Sequence, residues 1–294
     1  MVGERKGASG RRVALVTGCS SGIGLALAEA LVDSDWCVYA GARDAEALAR
    51  LDSLGAHPLR LDVCDGAECE MAVARVLDEE GAISALVNNA GYGLHGAVEC
   101  TDLEAARRQL ETNFLGAVRL SQLVLPSMRA QGSGTILNMS SMGGRLGFPG
   151  GAFYHASKHA LEAFSDVLRF EVAGFGVRVV VVEPGPVASR FGATGMESVA
   201  EAEPPEYEAL HERIRSGLLS TFDGPGSELS SSAQEVARVC LEALESEAPQ
   251  SRYVVGAMAE DLIRRRARAT DAEWDAFLEG LYERPGPAAK GAAD

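Results

Sequence analysis

A tyrosine and a lysine four residues apart, in Tyr154-His155-Ala156-Ser157-Lys158, are the side chains of this sequence whose types and spacing point most directly to chemistry. Only two other lysines occur, Lys6 and Lys290, both near the ends, while arginine supplies nearly every other cation. A position that keeps lysine against that bias calls for a compact ammonium on a flexible stem rather than a planar fork. Residues four apart share a helix face, which would set phenol and ammonium side by side. An ammonium fixed beside a phenol favours the phenolate, and so brings a group that ordinarily titrates near pH about 10 toward use as an acid or base. Taken alone, an ordinary Tyr and Lys on a wet helix face is the plainer reading, and the rest of the chain has to overturn it.

The stretch Ala152 to Ala173 supplies the helix, with Ala156, Ala160, Phe164, Val167 and Leu168 recurring at helical spacing. Upstream, short β-branched runs alternate with longer amphipathic stretches, the rhythm of βαβ units around a parallel sheet. Strands are expected at Val13–Thr17, Cys37–Gly41, Pro58–Asp62, Ala85–Asn88, Gly134–Met139 and Val177–Glu183, with a seventh at Arg252–Val255. Helices are expected at Ile23–Val32, Ala45–Ser53, Glu68–Glu79, Leu103–Met128 and Phe153–Ala173. The fold class that follows is α/β, a Rossmann-type doubly wound parallel sheet with helices on both faces. Residues 12–282 are expected to form one domain, with disordered tails at 1–11 and 283–294. The Pro-, Gly- and Ser-rich segment 186–226, with a short helix at Tyr207–Leu219, has the length of a substrate lid. Further helices are expected at Ser232–Glu245, Asp261–Arg268 and Asp271–Leu281.

Thr17-Gly18-Cys19-Ser20-Ser21-Gly22-Ile23-Gly24 joins the first strand to the first helix. Glycines at such a turn let the backbone approach a pyrophosphate, whose charge meets the free amides of the helix N-terminus. With Asn88-Asn89-Ala90-Gly91 and Tyr154-to-Lys158 in the same order along the chain, the sequence closely resembles the short-chain dehydrogenase/reductase family from about Arg12 to Arg190. The resemblance implies nicotinamide cofactor contacts from Thr17, Gly18, Ser20, Ser21, Gly22, Ile23 and Gly24, and from Asn89, Ala90 and Gly91. It implies that Ser141, thirteen residues before Tyr154, orients the substrate, with Ser140 as the alternative. Asn113 matches the asparagine that kinks the long helix and holds a water leading to the lysine. Lys158 would also grip the nicotinamide ribose. Asp62 and Val63 would lie beside the adenine, and Pro184, Gly185, Val187 and Ser189 would frame the nicotinamide.

Cofactor preference is carried by the end of the second strand, where NAD enzymes place an acid on the ribose 2'-hydroxyl. Here Ala42 takes that place and Arg43, next to it, would clamp a 2'-phosphate, while Asp44 caps the following helix. NADP(H) is therefore the expected cofactor, with NAD(H) as the alternative. Hydride would pass from NADPH to a carbonyl carbon while Tyr154 protonates the developing alkoxide and Ser141 bonds the same oxygen. Leu94, Met142, Phe148, Val187, Phe191 and Met196 would line an apolar pocket, and their segments resemble those of hydroxysteroid and retinol dehydrogenases. The expected substrate is a bulky hydrophobic ketone or aldehyde. NAD-linked alcohol oxidation and a non-catalytic NADP(H) sensor are the rival readings.

The remaining composition excludes other classes. A net charge of -15 opposes nucleic-acid binding, and 47% hydrophobic with 23% charged residues suits a globular domain. No apolar run is long enough to span a bilayer, and no signal-peptide core follows the basic N-terminus, so a cytoplasmic location is expected. Cys19, Cys37, Cys64, Cys69, Cys100 and Cys240 lack zinc-ligand spacing and read as reduced, mostly buried thiols. His155 and His159 stand at a zinc spacing, but Lys158 beside them opposes a metal, and none is expected. The arginines at 264, 265, 266 and 268 are expected to pair with carboxylates or a sister subunit. The family resemblance implies a homodimer or homotetramer through the two long helices.

Overall fold

The structure, a computed structural model, describes residues 7–188, 199, 204–222, 229–282 and 284. Strand β1 (Val13–Val16) is buried along its whole length, with Ala14 and Val16 entering one core and Val13 and Leu15 another. Strand side chains alternate between faces, so a strand apolar at every position must be covered on both. The same division runs through β2 (Cys37–Ala42), β4 (Ala85–Asn88), β5 (Gly134–Met139) and β6 (Val177–Pro184). With β3 (His57–Arg60) and β9 (Arg252–Val255) they form one seven-stranded parallel sheet in the order β3-β2-β1-β4-β5-β6-β9. The first core is closed by α1 (Gly22–Asp33), α2 (Ala45–Ser53) and α8 (Ala233–Glu245). The second is closed by α3 (Gly66–Glu80), α5 (Gly116–Gln131) and α6 (Ala152–Val172). Strand order reverses between β1 and β4, which opens a crevice at their carboxyl ends, and a doubly wound sheet binds its ligands there.

The expected architecture and seventh strand are present, and the departures have local causes. The long helix expected over Leu103–Met128 is α4 (Leu103–Leu110), a π-helical turn at Glu111–Leu115, and α5. One extra residue in a turn is invisible to a 3.6-residue pattern, and such bulges cluster at functional sites. On α6 the apolar residues at 156, 160, 164, 167 and 168 do not form one buried stripe: Leu168 is buried and Phe164 packs half-buried on the second core. Ala156 and Val167 are exposed, whereas Ser157, Lys158, Leu161, Glu162, Ser165, Leu168 and Val172 face inward. Hydrogen bonds and ion pairs rather than apolarity seat the polar members of that face. Residues 7–11, expected as tail, form a turn in which Ala8 N donates to Glu80 O at 2.9 Å and Ser9 N to the Glu80 carboxylate at 3.0 Å.

A two-residue parallel pair, β7 (Val187–Ala188) with β8 (Ser231–Ser232), ties the chain after Pro184 to the start of α8. Within the expected lid, α7 (Glu208–Phe222) is docked rather than free-standing: His211 Nε2 accepts from Ala97 N at 2.8 Å, and Tyr207 donates to Glu99 at 2.9 Å. Leu210 and Ile214 pack with Ala97 in a third small core. Helices α9 (Ala257–Arg268) and α10 (Asp271–Glu279) complete the described chain. Within the basic run, Arg266 pairs with Asp271 at 2.7 Å and Arg265 lies over the Phe277 ring. No described helix is long and apolar enough to cross a membrane.

Candidate active site

The turn between β1 and α1 is built by its own polar groups. Thr17 Oγ1 donates to Val87 O at 3.2 Å and accepts from Asn89 N and Ala90 N, each at 3.0 Å. The Asn89 amide donates to Thr17 O at 2.9 Å and Gly18 O at 3.2 Å. Thr17 and Asn89, expected to touch cofactor, thus spend these groups on clamping β1 to β4. Gly18 has φ +70°, and a Cβ there would lie 2.8 Å from Ala90 Cα; at Gly24 one would lie 2.3 Å from Gly18 O. Only glycine permits that approach. Helix α1 starts at Ser21 with no side-chain cap and no acid in its first turn. By contrast α2, α3, α4, α8 and α10 are capped by Asp44, Asp65, Asp102, Ser232 and Thr270. The Asp44 cap is the one expected. Amides left open at a helix start suit an anion, so the residues present fit a dinucleotide pyrophosphate.

The second half of the site hangs from α6 and the π-turn. Tyr154 is half-buried against Ser141, to which it is hydrogen-bonded; desolvation pushes its phenol up to about 12, and Ser141 works in the opposite direction. Lys158 Nζ lies 5.9 Å from the Tyr154 ring centroid and donates to Met139 O at 2.8 Å. Burial brings its own pKa down to about 8, with Glu162 one turn later opposing that fall. Desolvation thus dominates the phenol, and the pull against it comes from Ser141 rather than from the expected ammonium of Lys158. Asn113, buried in the π-turn, accepts from Tyr92 N at 3.0 Å and donates to Tyr92 O at 2.9 Å and Ser157 Oγ at 3.1 Å. A Cβ on Gly91 would stand 3.1 Å from Asn113 Oδ1 and 3.6 Å from Lys158 Nζ, so Gly91 keeps an open notch beside both. Between the two serine candidates the structure discriminates: Ser140 is buried against Glu162, while Ser141 faces Tyr154.

At the β2 and β3 ends, Arg43 is 77% exposed and its Nη1 lies 4.0 Å from Asp62 Oδ2. Asp62 also accepts from Cys64 N at 3.0 Å. Val63, expected beside the adenine, is turned into the core against Gly116. Pro184 ends β6, Gly185 N donates to Val255 O at 2.9 Å, and Val187 is buried in β7. Ser189, Phe191 and Met196 lie outside the described residues. Of the expected pocket residues, Met142 follows Ser141 in a 3-10 turn, Phe148 packs on His155 with ring centroids 6.2 Å apart, and Leu94 precedes His95. Sequence reasoning missed two neighbours and left His155 without its role. The His95 ring is 6.4 Å from Tyr154, and Trp274 on α10 is 6.0 Å from Phe148. His155 bonds backbone through both nitrogens, a role its adjacency to Tyr154 could have flagged. His159 Nδ1 lies 2.9 Å from His155 O, which takes that nitrogen from the suggested zinc spacing. Among the described residues no three His, Cys, Asp or Glu side chains gather as a metal site. Cys19, Cys37, Cys69 and Cys240 are buried free thiols.

A crevice at the sheet's switch point, open helix amides and a Ser-Tyr-Lys face define a nucleotide-dependent oxidoreductase of the Rossmann type. A family model for the short chain dehydrogenases matches residues 12–198, and the chain belongs to that family. An oxidoreductase of Botryotinia fuckeliana is 36% identical over 270 residues, 90% of this chain and 96% of its own. A 3-ketodihydrosphingosine reductase of Bacteroides thetaiotaomicron is 37% identical over 181 residues, 61% of this chain and 65% of that one. A solved short-chain dehydrogenase from Streptomyces avermitilis, 35% identical, has a TM-score of 0.77 over 93% of this chain and 99% of that one. Another from Burkholderia cenocepacia, in complex with NADP, is 28% identical with a TM-score of 0.71 over 91% and 97%.

Proposed function

We propose that the chain is an NADPH-dependent carbonyl reductase acting on a bulky hydrophobic ketone or aldehyde, close in substrate type to hydroxysteroid and retinol dehydrogenases. The carrying observation is the half-buried Tyr154 phenol, hydrogen-bonded to Ser141, with Lys158 on the same helix face. NADPH, held by the α1 turn at Gly18 to Gly24, would supply the hydride. A substrate carbonyl oxygen takes its place between Ser141 Oγ and the Tyr154 hydroxyl, and Tyr154 gives up its proton as the alkoxide forms. Burial favours this direction, because a phenol raised to about 12 holds its proton until a stronger base develops beside it. Lys158 then stands by the phenolate as counter-charge, and Asn113 fixes the Gly91–Tyr92 loop that bounds the nicotinamide end.

The preference for NADPH rests on Arg43, exposed next to Ala42, the position where an acid would select NAD. The apolar substrate class rests on Leu94, Met142, Phe148 and the Trp274 packed on Phe148, and on the keto substrate in the name of the Bacteroides relative. One catalytic domain, 12–282, holds all of these parts, with 186–226 as its lid. We place the protein in the cytoplasm as a homodimer or homotetramer associating through α5 and α6, where Phe170 stands 88% exposed; light scattering tests this. The decisive assay follows NADPH oxidation over a panel of aryl, alicyclic and long-chain ketones. Tyr154→Phe should lower kcat by roughly 10²- to 10⁴-fold with little change in NADPH affinity. Binding of NADPH with no turnover on any ketone, and no measurable effect of Tyr154→Phe, would refute the proposal.

A further inference from the structure

His155 follows Tyr154 on α6, and its ring is gripped by the turn that carries Ser141 and the loop that carries Phe148. Nδ1 lies 3.0 Å from Gly143 O, and Nε2 lies 3.1 Å from Phe148 N. A carbonyl oxygen can only accept and an amide can only donate, so Nδ1 carries the proton and Nε2 the lone pair. These contacts admit one form of the ring, the neutral Nδ1–H tautomer. An imidazolium has no acceptor to offer the Phe148 amide. Two glycines make the seat: a Cβ on Gly143 would lie 2.8 Å from Nδ1 and 3.1 Å from the Tyr154 ring, and one on Gly151 would lie 2.7 Å from Nε2. The Tyr154 ring closes the seat with its centroid 5.6 Å from that of His155. On the other side of the turn, Gly143 N donates to Ser141 Oγ at 3.0 Å. One residue, Gly143, thus receives the imidazole's hydrogen bond on its carbonyl and directs the Ser141 hydroxyl with its amide.

We propose that His155 is a positioning residue for the reduction: as the neutral Nδ1–H tautomer it locks the Ser141 turn to the Phe148 loop, and so aims Ser141 Oγ at the oxygen that Tyr154 protonates. The proposal rests on the carbonyl-reductase reading above. The titratable groups around the ring are Tyr154 and His159 on α6 and His95 on the loop after β4. The 3-10 turn and the 148 loop face it with backbone and the Phe148 ring, and α10 reaches it only through Trp274 behind Phe148. Burial chiefly, and His159 after it, disfavour the imidazolium, against a smaller opposite pull from Gly143 O. The ring is therefore neutral at physiological pH, and acidification breaks the Phe148 bond and frees the turn.

The test compares wild type, His155→Gln and His155→Leu. Leucine fills the seat without donor or acceptor, whereas the glutamine amide can donate to Gly143 O and accept from Phe148 N. On a hydrophobic ketone that the wild type reduces, His155→Leu should lose about tenfold to hundredfold in kcat, the cost of leaving a buried amide and carbonyl unpaired, with the NADPH Kd unchanged within about twofold. His155→Gln should recover most of that kcat and lack the wild type's loss of activity on the acid side of the imidazole range. Unchanged kcat in His155→Leu, or an acid limb in His155→Gln identical to the wild type's, overturns the proposal. Should His155→Leu fail to fold, the acid limb of His155→Gln decides. Nitrogen-15 NMR of the wild-type imidazole is independent of turnover: a proton on Nε2 refutes the proposal outright. A wild type that binds NADPH and reduces no ketone instead refutes the reductase reading, and the NMR result still decides the tautomer.

Discussion

Replacing Arg43 with alanine isolates the one side chain on which cofactor preference rests. In the absence of ligand its guanidinium is 77% exposed and only 4.0 Å from Asp62, a pair too solvated to stabilise the fold measurably. Removing it should leave the melting temperature unchanged. A phosphate on the ribose 2'-oxygen would accept charge-assisted hydrogen bonds from it, worth about 1.5–3 kcal/mol in protected settings. Exposure and salt screening reduce that to about 1–2 kcal/mol, which is about a 5- to 30-fold rise in the NADPH Kd. NADH carries no 2'-phosphate, so its Kd should stay within about twofold. Fluorescence titration of both cofactors at low and high salt reads all of this, and the NADPH effect should shrink as salt rises. Equal Kd changes for NADPH and NADH, or none for either, would show that Arg43 does not select the phosphate.

Gly24→Ala should abolish measurable NADPH binding and lower the melting temperature by calorimetry, because its Cβ would sit 2.3 Å from Gly18 O and 2.5 Å from the Asn89 amide. Lys158→Met should remove turnover and relieve a charge-burial cost of about 3 kcal/mol near pH 7, partly offset by the Met139 carbonyl it leaves unpaired, since burial holds the folded-state pKa at about 8 against 10.5 for a free lysine. Between those values the unfolded chain binds the extra proton, so wild-type stability rises with pH and the variant's advantage in urea titrations should fade from about pH 8 to 10.5. Arg252→Ala strands buried Glu162, which it contacts at 3.0 Å, and leaves Glu183 to Arg145 alone, and should cost about 3–5 kcal/mol at neutral pH. Burial already raises Glu162 above the usual carboxylate range, so that deficit should shrink as pH falls and the carboxylates protonate; a pH-independent deficit would refute the account.

How far the chain could be read depended on how each element earns its burial. Strands β1, β4, β5 and β6 are apolar on both faces, so their runs were legible almost to the residue, and the parallel, doubly wound class of the sheet followed from the βαβ rhythm. The π-turn at Glu111–Leu115 was not, because it adds a residue without changing composition. The β7–β8 pair was not either: two residues carry no period. The glycine turn was legible as chemistry, yet only packing assigns Thr17 and Asn89 to holding it and turns Val63 inward.

The helix that carries Tyr154 is the clearest case of function overriding pattern. Its inward face is Ser157, Lys158, Glu162 and Ser165 among leucine and valine, while Val167 and Phe170 look outward. An apolar stripe would seat the helix more simply. Each buried polar group instead ties it to a neighbour: Ser157 to Asn113, Lys158 to Met139 O, Glu162 to Arg252 and Ser165 to Asn138. Those four partners lie on the π-turn, on β5 twice and on β9, so the helix cannot slide or roll by one position without breaking several bonds at once. Apolar packing is tolerant of small shifts, whereas satisfied buried polar bonds are directional and costly to leave unmade. A site that transfers a proton over hydrogen-bond distance needs that registration, and it explains why two serines, a lysine and a glutamate share the inward face with Leu161, Leu168 and Val172 while Val167 is turned to solvent.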